Sequence, residues 1–144
     1  MTDTATELRT ETSRVIAASK EALFDAWLDP AMLAKFMMPA SDMTVPEVTT
    51  DPREGGRFRV VMRVGERDMP HEGTYKMIER PSRLAFTWES PFSSIEGSTV
   101  TLTFDDAPEG TKVTLTHVRF ETEEMRDNHA KGWAAILDAL AAVS

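Results

Sequence analysis

The chain has 144 residues, no cysteine and a formal net charge of -8 at pH 7. The lack of cysteine excludes disulfides, thiolate zinc sites and a cysteine nucleophile, and the negative charge disfavours nucleic acid and anionic membranes as partners. Neither a leader peptide nor a run of about 18 apolar residues is found. We therefore expect a cytoplasmic protein with one domain over residues 1–144, whose first few residues are disordered.

One strand and two short helices are predicted at the start. Polar and apolar residues alternate from Glu7 to Ala18, which predicts a first strand at an edge of the sheet. Ser19 is a typical N-cap residue, and i, i+4 apolar pairs after it predict a short helix that ends at Asp29-Pro30. The same dipeptide predicts a second short helix before Pro39, with Asp as the cap and Pro at the first helical position.

Six further strands are predicted from alternating apolar residues. Their ranges are Thr44 to Thr50, Phe58 to Val64, Met69 to Ile78, Arg83 to Glu89, Ser98 to Phe104 and Thr111 to Phe120. Because short connections favour antiparallel neighbours, the pattern predicts an α+β fold with an antiparallel sheet of about seven strands.

One of these strands has a basic face. Arg57, Arg59 and Arg63 alternate with apolar residues, so the three arginines lie on the side opposite the apolar face. The face is either solvated and paired to Glu72 or other neighbours, or a surface for an acidic protein partner. The first interpretation is favoured.

The longest predicted element is an amphipathic C-terminal helix after Thr122. At about 100° per residue, one stripe combines Met125, His129, Trp133, Ile136, Leu140 and Val143. This stripe must be buried, and we expect the sheet to curve around it. Gly132 weakens a helix by roughly 1 kcal/mol relative to alanine, and His129 is polar, so both indicate close approach or a cavity. Since a curved sheet rarely closes completely on one helix, we predict a pocket between them.

Several motifs together resemble a known family. They include Phe24-x-Ala26-Trp27-x-Asp29-Pro30, Asp51-x-Arg53-x-Gly55-Gly56-x-Phe58, Pro81-x-Arg83-Leu84-x-Phe86-Thr87-Trp88 and His129-x-x-Gly132-Trp133-x-x-Ile136-Leu137. In this order and spacing, from about Arg14 onward, the chain resembles the Aha-like family, relatives of the activator of the heat-shock protein 90 ATPase. The resemblance implies the START-like or SRPBCC superfamily, whose helix-grip fold wraps a curved antiparallel sheet around a long C-terminal helix and leaves a deep cavity.

The chain departs from the family at the segment Phe36-Met37-Met38-Pro39. The family usually has a Trp-Trp-Gly-Pro type segment there. The pocket wall is therefore expected to be aliphatic at this place rather than lined by indoles, and the ligand preference of the family is not carried over.

Eight residues are predicted to line the pocket because their side chains are expected to face inward. They are Phe36, Met37, Met38, Tyr75, Trp88, His117, His129 and Trp133. Tyr75 and Trp88 each combine an apolar body with a polar tip, and Met37 and Met38 are expected at the mouth. His129 is either a hydrogen-bonding or acid–base group of the pocket or a satisfied core histidine, and the second is favoured.

The pattern predicts a protein that binds an apolar or amphipathic small molecule, without a cofactor. No metal site is assigned, because the histidines and carboxylates lack metal-ligand spacing. Two alternatives stay open: a stress-related co-chaperone-like interaction protein, and a START-like enzyme of the cyclase, lyase or hydrolase type that uses the pocket histidines. An enzyme is less favoured, and no catalytic residue is assigned, because the sequence has no nucleophile elbow, Walker loop or dinucleotide fingerprint. A monomer and a homodimer are equally compatible with the sequence.

Overall fold

A computed structural model describes residues 8–38, 42–90, 97–120 and 122–144. The expected disorder at the N-terminus and the position of Pro39 lie outside these residues. The elements follow in the order β1 (Leu8–Ile16), α1 (Lys20–Ala26), α2 (Pro30–Phe36), β2 (Met43–Thr50), β3 (Arg57–Val64), β4 (Arg67–Glu79), β5 (Arg83–Thr87), β6 (Thr99–Ala107), β7 (Gly110–Phe120) and α3 (Glu123–Val143).

The strands form one curved antiparallel sheet in the order β1-β7-β6-β5-β4-β3-β2. Sheet neighbours are also neighbours in sequence, except that β1 pairs with β7 along the whole strand. This pairing places β1 at one edge, as expected, and lets α3 pack against β1, β7 and α2. The predicted α+β helix-grip fold, with two short helices after the first strand and one long C-terminal helix, is confirmed.

The three helices begin at the residues that the sequence predicts. The hydroxyl oxygens of Ser19 and Thr122 each accept a hydrogen bond from the backbone N–H three residues later, at 3.2 and 3.1 Å. The carboxylate of Asp29 accepts one from the N–H two residues later, at 2.9 Å. These caps satisfy donors that have no partner inside the helix, which is why each helix begins where it does.

Fewer residues of α3 are buried than the predicted stripe contains. Trp133, Ile136 and Leu140 are buried against the sheet, and Leu137 lies beside them. The prediction that Val143 is buried is wrong, because its side chain is 39% exposed. Val143 is the last residue of the helix and lies at the margin of the buried face, so nothing covers it fully.

A close approach between two strands fixes the aromatic packing of the sheet. Phe58 lies opposite Gly73 in the β3–β4 register, and its ring contacts Tyr75 and Trp88 at centroid distances of 5.3 and 6.2 Å. A Cβ atom on Gly73 would lie 2.0 Å from the backbone oxygen of Thr87 and 2.5 Å from the Phe58 ring. Only glycine therefore fits at this position.

Gly73→Ala is expected to lower the free energy of unfolding by about 1–3 kcal/mol, because the added methyl group overpacks the interior. Urea denaturation followed by circular dichroism measures this change. Gly132→Ala on α3 is the control and is expected to raise the free energy of unfolding by up to about 1 kcal/mol, since alanine favours a helix. An unchanged free energy in Gly73→Ala would contradict the packing described above.

Candidate functional site

A cavity of about 170 Å³ lies between α3 and the sheet, where the pocket was expected. It is lined by Met62, His71, Trp88, Asn128, His129, Gly132, Trp133 and Ile136. These lining residues include no carboxylate, lysine or arginine. Trp88 and Trp133 are buried, whereas Asn128 is exposed and Gly132 is half-buried. The deep end of the cavity is therefore apolar, and its solvent side runs along the N-terminal half of α3.

His117 does not line the cavity but forms a hydrogen bond with Trp133, which does. The indole N–H of Trp133 donates a hydrogen bond to His117 Nδ1 at 3.0 Å. Because an indole nitrogen only donates, Nδ1 of His117 is the acceptor and carries no hydrogen. The hydrogen of the neutral imidazole is therefore on Nε2. His117 Nε2 lies 2.8 Å from Ser98 Oγ and donates to it. Burial lowers the pKa of His117 to about 3. His117 is thus a satisfied core histidine that orients Trp133.

His129 combines a structural hydrogen bond with an available acceptor. Its Nδ1 donates to the backbone oxygen of Met125, one helical turn earlier, at 2.8 Å. The hydrogen therefore lies on Nδ1, and Nε2 of the neutral ring is an acceptor. Among the described residues, Nε2 has no hydrogen-bond partner. Burial lowers the pKa of His129, which favours this neutral form at pH 7.

His71 and Trp88 carry polar atoms that the described part of the chain does not satisfy. His71 is 9% exposed and its ring stacks on Trp88, with centroids 4.8 Å apart and planes at 24°. His71 Nδ1 and Trp88 Nε1 are both buried without a hydrogen-bond partner among the described residues. Burial lowers the pKa of His71 to about 4, so its imidazole is neutral at pH 7. Because both atoms are fully buried, neither faces the open space of the cavity.

Comparison with known proteins identifies the family. Residues 17–144 match the family described as "Activator of Hsp90 ATPase homolog 1-like protein". The chain belongs to this AHSA1-like family. Its fold is that of the START-like superfamily, as the sequence motifs implied. Family and fold support a ligand-binding domain in general.

Solved structures from several bacteria resemble the AHSA1-like chain. An AHSA1-like protein from Aeromonas hydrophila is 28% identical, with a TM-score of 0.78 over 93% of this chain and 90% of that one. A protein from Rhodobacter sphaeroides is 27% identical, with a TM-score of 0.79 over 94% and 91%. One from Chromobacterium violaceum, 22% identical, shares the fold, with a TM-score of 0.80 over 94% and 95%. No curated protein matches the chain.

Five of the eight predicted pocket residues border an internal space. Trp88, His129 and Trp133 line the large cavity of the AHSA1-like chain. Met37 and Tyr75, together with Trp88, border a second void of about 10 Å³, which is room for about one water molecule. The predicted residues are therefore divided between two spaces, with Trp88 common to both.

The other three predicted residues line neither space. Phe36 is fully buried and packs edge-on against Trp27, with centroids 5.0 Å apart. Met38 is half-buried against the core, and His117 is held behind Trp133. Met37, expected at the mouth, is only 2% exposed, because it caps the C-terminus of α2 and points into the interior. The mouth instead lies on α3.

Sequence reasoning did not assign His71 or Asn128 to the site. His71 shares the face of β4 with Gly73 and Tyr75, so period-two alternation already placed it inward. Strand alternation does not show, however, that His71 lies opposite α3. Asn128 is an exposed helix residue, and no sequence signal distinguishes it from other polar positions.

The basic face of β3 is neutralised within the sheet. Each arginine forms ion pairs with neighbouring carboxylates: Arg57 with Glu72 and Glu89, Arg59 with Glu47 and Glu72, and Arg63 with Asp68. Four carboxylates thus face three guanidinium groups. This arrangement agrees with the solvated-face interpretation rather than with a free surface for an acidic partner.

The described ranges contain no group of three or more histidine, aspartate or glutamate side chains that could hold a metal ion. Nor does any helix within them have the length and apolarity needed to cross a membrane.

Lowering the pH from 7 to 5 is expected to destabilise the AHSA1-like chain. His71 and His117 have folded-state pKa values of about 4 and 3, whereas in the unfolded chain both bind a proton near pH 6.5. The unfolded state therefore binds more protons below pH 6.5, and the free energy of unfolding falls with decreasing pH. At pH 5 the loss is about 2 kcal/mol for each of the two histidines.

Urea unfolding at pH 7, 6 and 5 measures this loss. His71→Phe keeps a ring at the same place and is expected to remove about 2 kcal/mol of it. A loss of unchanged size in the variant would show that His71 is not the neutral buried group described here.

Proposed function

We propose that this protein binds a small, mainly apolar molecule in the cavity between the sheet and α3, as a cytoplasmic binding protein. The observation that carries the proposal is the space of about 170 Å³ between α3 and the sheet, whose described lining is mostly apolar and aromatic. A bound molecule fills a space that close packing otherwise disfavours.

The cavity volume limits the size of the ligand. An apolar cavity of roughly 150 Å³ accommodates benzene, and pockets for drug-sized ligands measure roughly 300–1,000 Å³. The ligand that fits here therefore has about one six-membered ring. A longer amphipathic molecule would require α3 to move away from the sheet.

Gly132 provides the room for entry. It lies on α3 at the cavity wall, between Asn128 and Ile136, and any side chain there would project toward the cavity. Glycine at this position weakens the helix by roughly 1 kcal/mol relative to alanine. A binding function would account for this loss of helix stability, because a side chain at position 132 would occupy part of the cavity.

The two alternatives have less support. A co-chaperone-like protein that used the basic face of β3 would need unpaired arginines, but Arg57, Arg59 and Arg63 are all paired with carboxylates. An enzyme would need a nucleophile or an acid–base group beside the bound molecule. The described residues of the cavity lining include no serine, threonine, lysine or carboxylate, which leaves the enzyme alternative with imidazole groups such as His129 Nε2 for acid–base chemistry and with no nucleophile among them.

Toluene is a suitable probe because it has one ring and no polar group. At tenfold excess over its Kd, it is expected to stabilise the folded state by about 1.4 kcal/mol and to raise the unfolding midpoint by about 5 °C. Gly132→Leu fills the cavity, so this variant is expected to show no shift. Differential scanning calorimetry with and without toluene measures both values.

Ala134→Leu is the matched control, because Ala134 is an exposed residue of the same helix and its variant should keep the full shift. The proposal fails if toluene has no effect on the wild-type protein, or if it stabilises Gly132→Leu equally. Native mass spectrometry of protein purified from its own host complements the test, since a co-purifying small molecule would identify the physiological ligand class.

A further inference from the structure

We infer that the indole of Trp88 sets the size limit of the ligand. It closes the deep end of the cavity, so that apolar molecules with one ring are admitted and apolar molecules with two fused rings are excluded. This inference rests on the proposed function and names the residue that determines its specificity.

Trp88 lies between two internal spaces. Among the described residues it is the only one that borders both the cavity of about 170 Å³ and the void of about 10 Å³. The cavity is lined in part by α3, whereas none of the described residues around the void belongs to that helix. The indole therefore forms a wall that the two spaces share.

The ring contacts of Trp88 fall into two groups, one for each space. His71 and Trp133, which line the cavity, lie at centroid distances of 4.8 and 4.9 Å from the indole. Phe58 and Phe86, which line the void, lie at centroid distances of 6.2 and 6.3 Å. The indole is thus packed between the aromatic rings of one space and those of the other.

Backbone hydrogen bonds hold this wall in place. The N–H of Trp88 donates to the backbone oxygen of Ser98 at 2.9 Å. The next residue, Glu89, exchanges two backbone hydrogen bonds with Glu72 of β4, at 2.9 and 2.8 Å. The side chain of Trp88 is itself buried. Because a close-packed interior leaves little room for rotation, the indole stays in place when a small ligand enters.

The contribution of Trp88 to the site is its bulk. Its Nε1 atom is buried and has no hydrogen-bond partner among the described residues, so this polar atom does not face the cavity. A smaller side chain would connect the cavity, the void and the volume that the indole now fills. The joined space would come closer to the roughly 300–1,000 Å³ of pockets for drug-sized ligands.

Toluene and naphthalene test the size limit, because both lack polar groups and they differ by one fused ring. The wild-type protein is expected to bind naphthalene at least about tenfold more weakly than toluene, since the second ring overpacks the cavity. In Trp88→Leu, the Kd of naphthalene is expected to fall about tenfold below its wild-type value, because the second ring is then buried in the joined space. In Trp88→Phe, which fills more of that space, the expected fall is about threefold.

Phe86→Leu is the matched control. Phe86 is a buried aromatic residue that borders the void and not the cavity, so its replacement leaves the wall of Trp88 intact. The Kd of naphthalene in this variant is expected to stay within about twofold of the wild-type value, since the second ring gains no space.

Two methionine methyl groups report where each molecule binds. Met62 lines the cavity and Met37 lines the void, so NMR titrations of protein labelled with ¹³C at its methionine methyl groups give both the Kd and the location. Toluene is expected to shift the Met62 signal of the wild-type protein and to leave the Met37 signal unchanged. Naphthalene is expected to shift both signals in Trp88→Leu. The same spectra show whether each variant is folded, and Trp88→Phe decides the test if Trp88→Leu is not.

Three results would overturn the inference and leave the proposed function intact, provided that toluene binds. They are naphthalene binding to the wild-type protein as tightly as toluene, no tighter naphthalene binding in the folded Trp88 variants than in the wild-type protein, and an equal gain of naphthalene binding in Phe86→Leu. If neither molecule binds the wild-type protein, the proposed function itself fails, and the inference fails with it.

Discussion

The hydrogen bond between Trp133 and His117 is the interaction on which the site depends. It joins α3 to β7 in the interior, where a neutral imidazole can accept from an indole without the cost of burying a charge. Because His117 is also bonded to Ser98, its ring cannot turn away. Trp133 is thereby fixed as one wall of the cavity, and its edge contact with Trp88 fixes the opposite wall.

The space beside this contact lies where α3 carries a glycine, Gly132. C-terminal to Trp133, Ile136 and Leu140 fill the interval between helix and sheet. At Gly132 there is nothing to fill it, and the cavity opens toward Asn128. The helix is thus packed tightly against the sheet at its C-terminal half and leaves room at its N-terminal half.

Charge is separated between the two faces of the sheet. The outer face carries the arginines of β3, each paired with carboxylates in partly exposed positions that contribute little to stability. The inner face carries the imidazoles of His71 and His117, which are both neutral at pH 7 because burial lowers their pKa values. The ion pairs of β3 thus lie on the side of the sheet away from α3.

The sequence alone determined the elements, the helix caps at Ser19 and Thr122, and the sheet wrapped around a terminal helix, because these follow from local periodicity and capping chemistry. It did not distinguish His71 from His117, although strand alternation turns both inward. Only the tertiary structure did so. Pairing between distant elements brought His117 to the indole of Trp133, which satisfies its Nδ1, whereas His71 Nδ1 is buried without a hydrogen-bond partner among the described residues. Hydrogen-bond satisfaction depends on contacts between residues far apart in the chain, which no local pattern encodes.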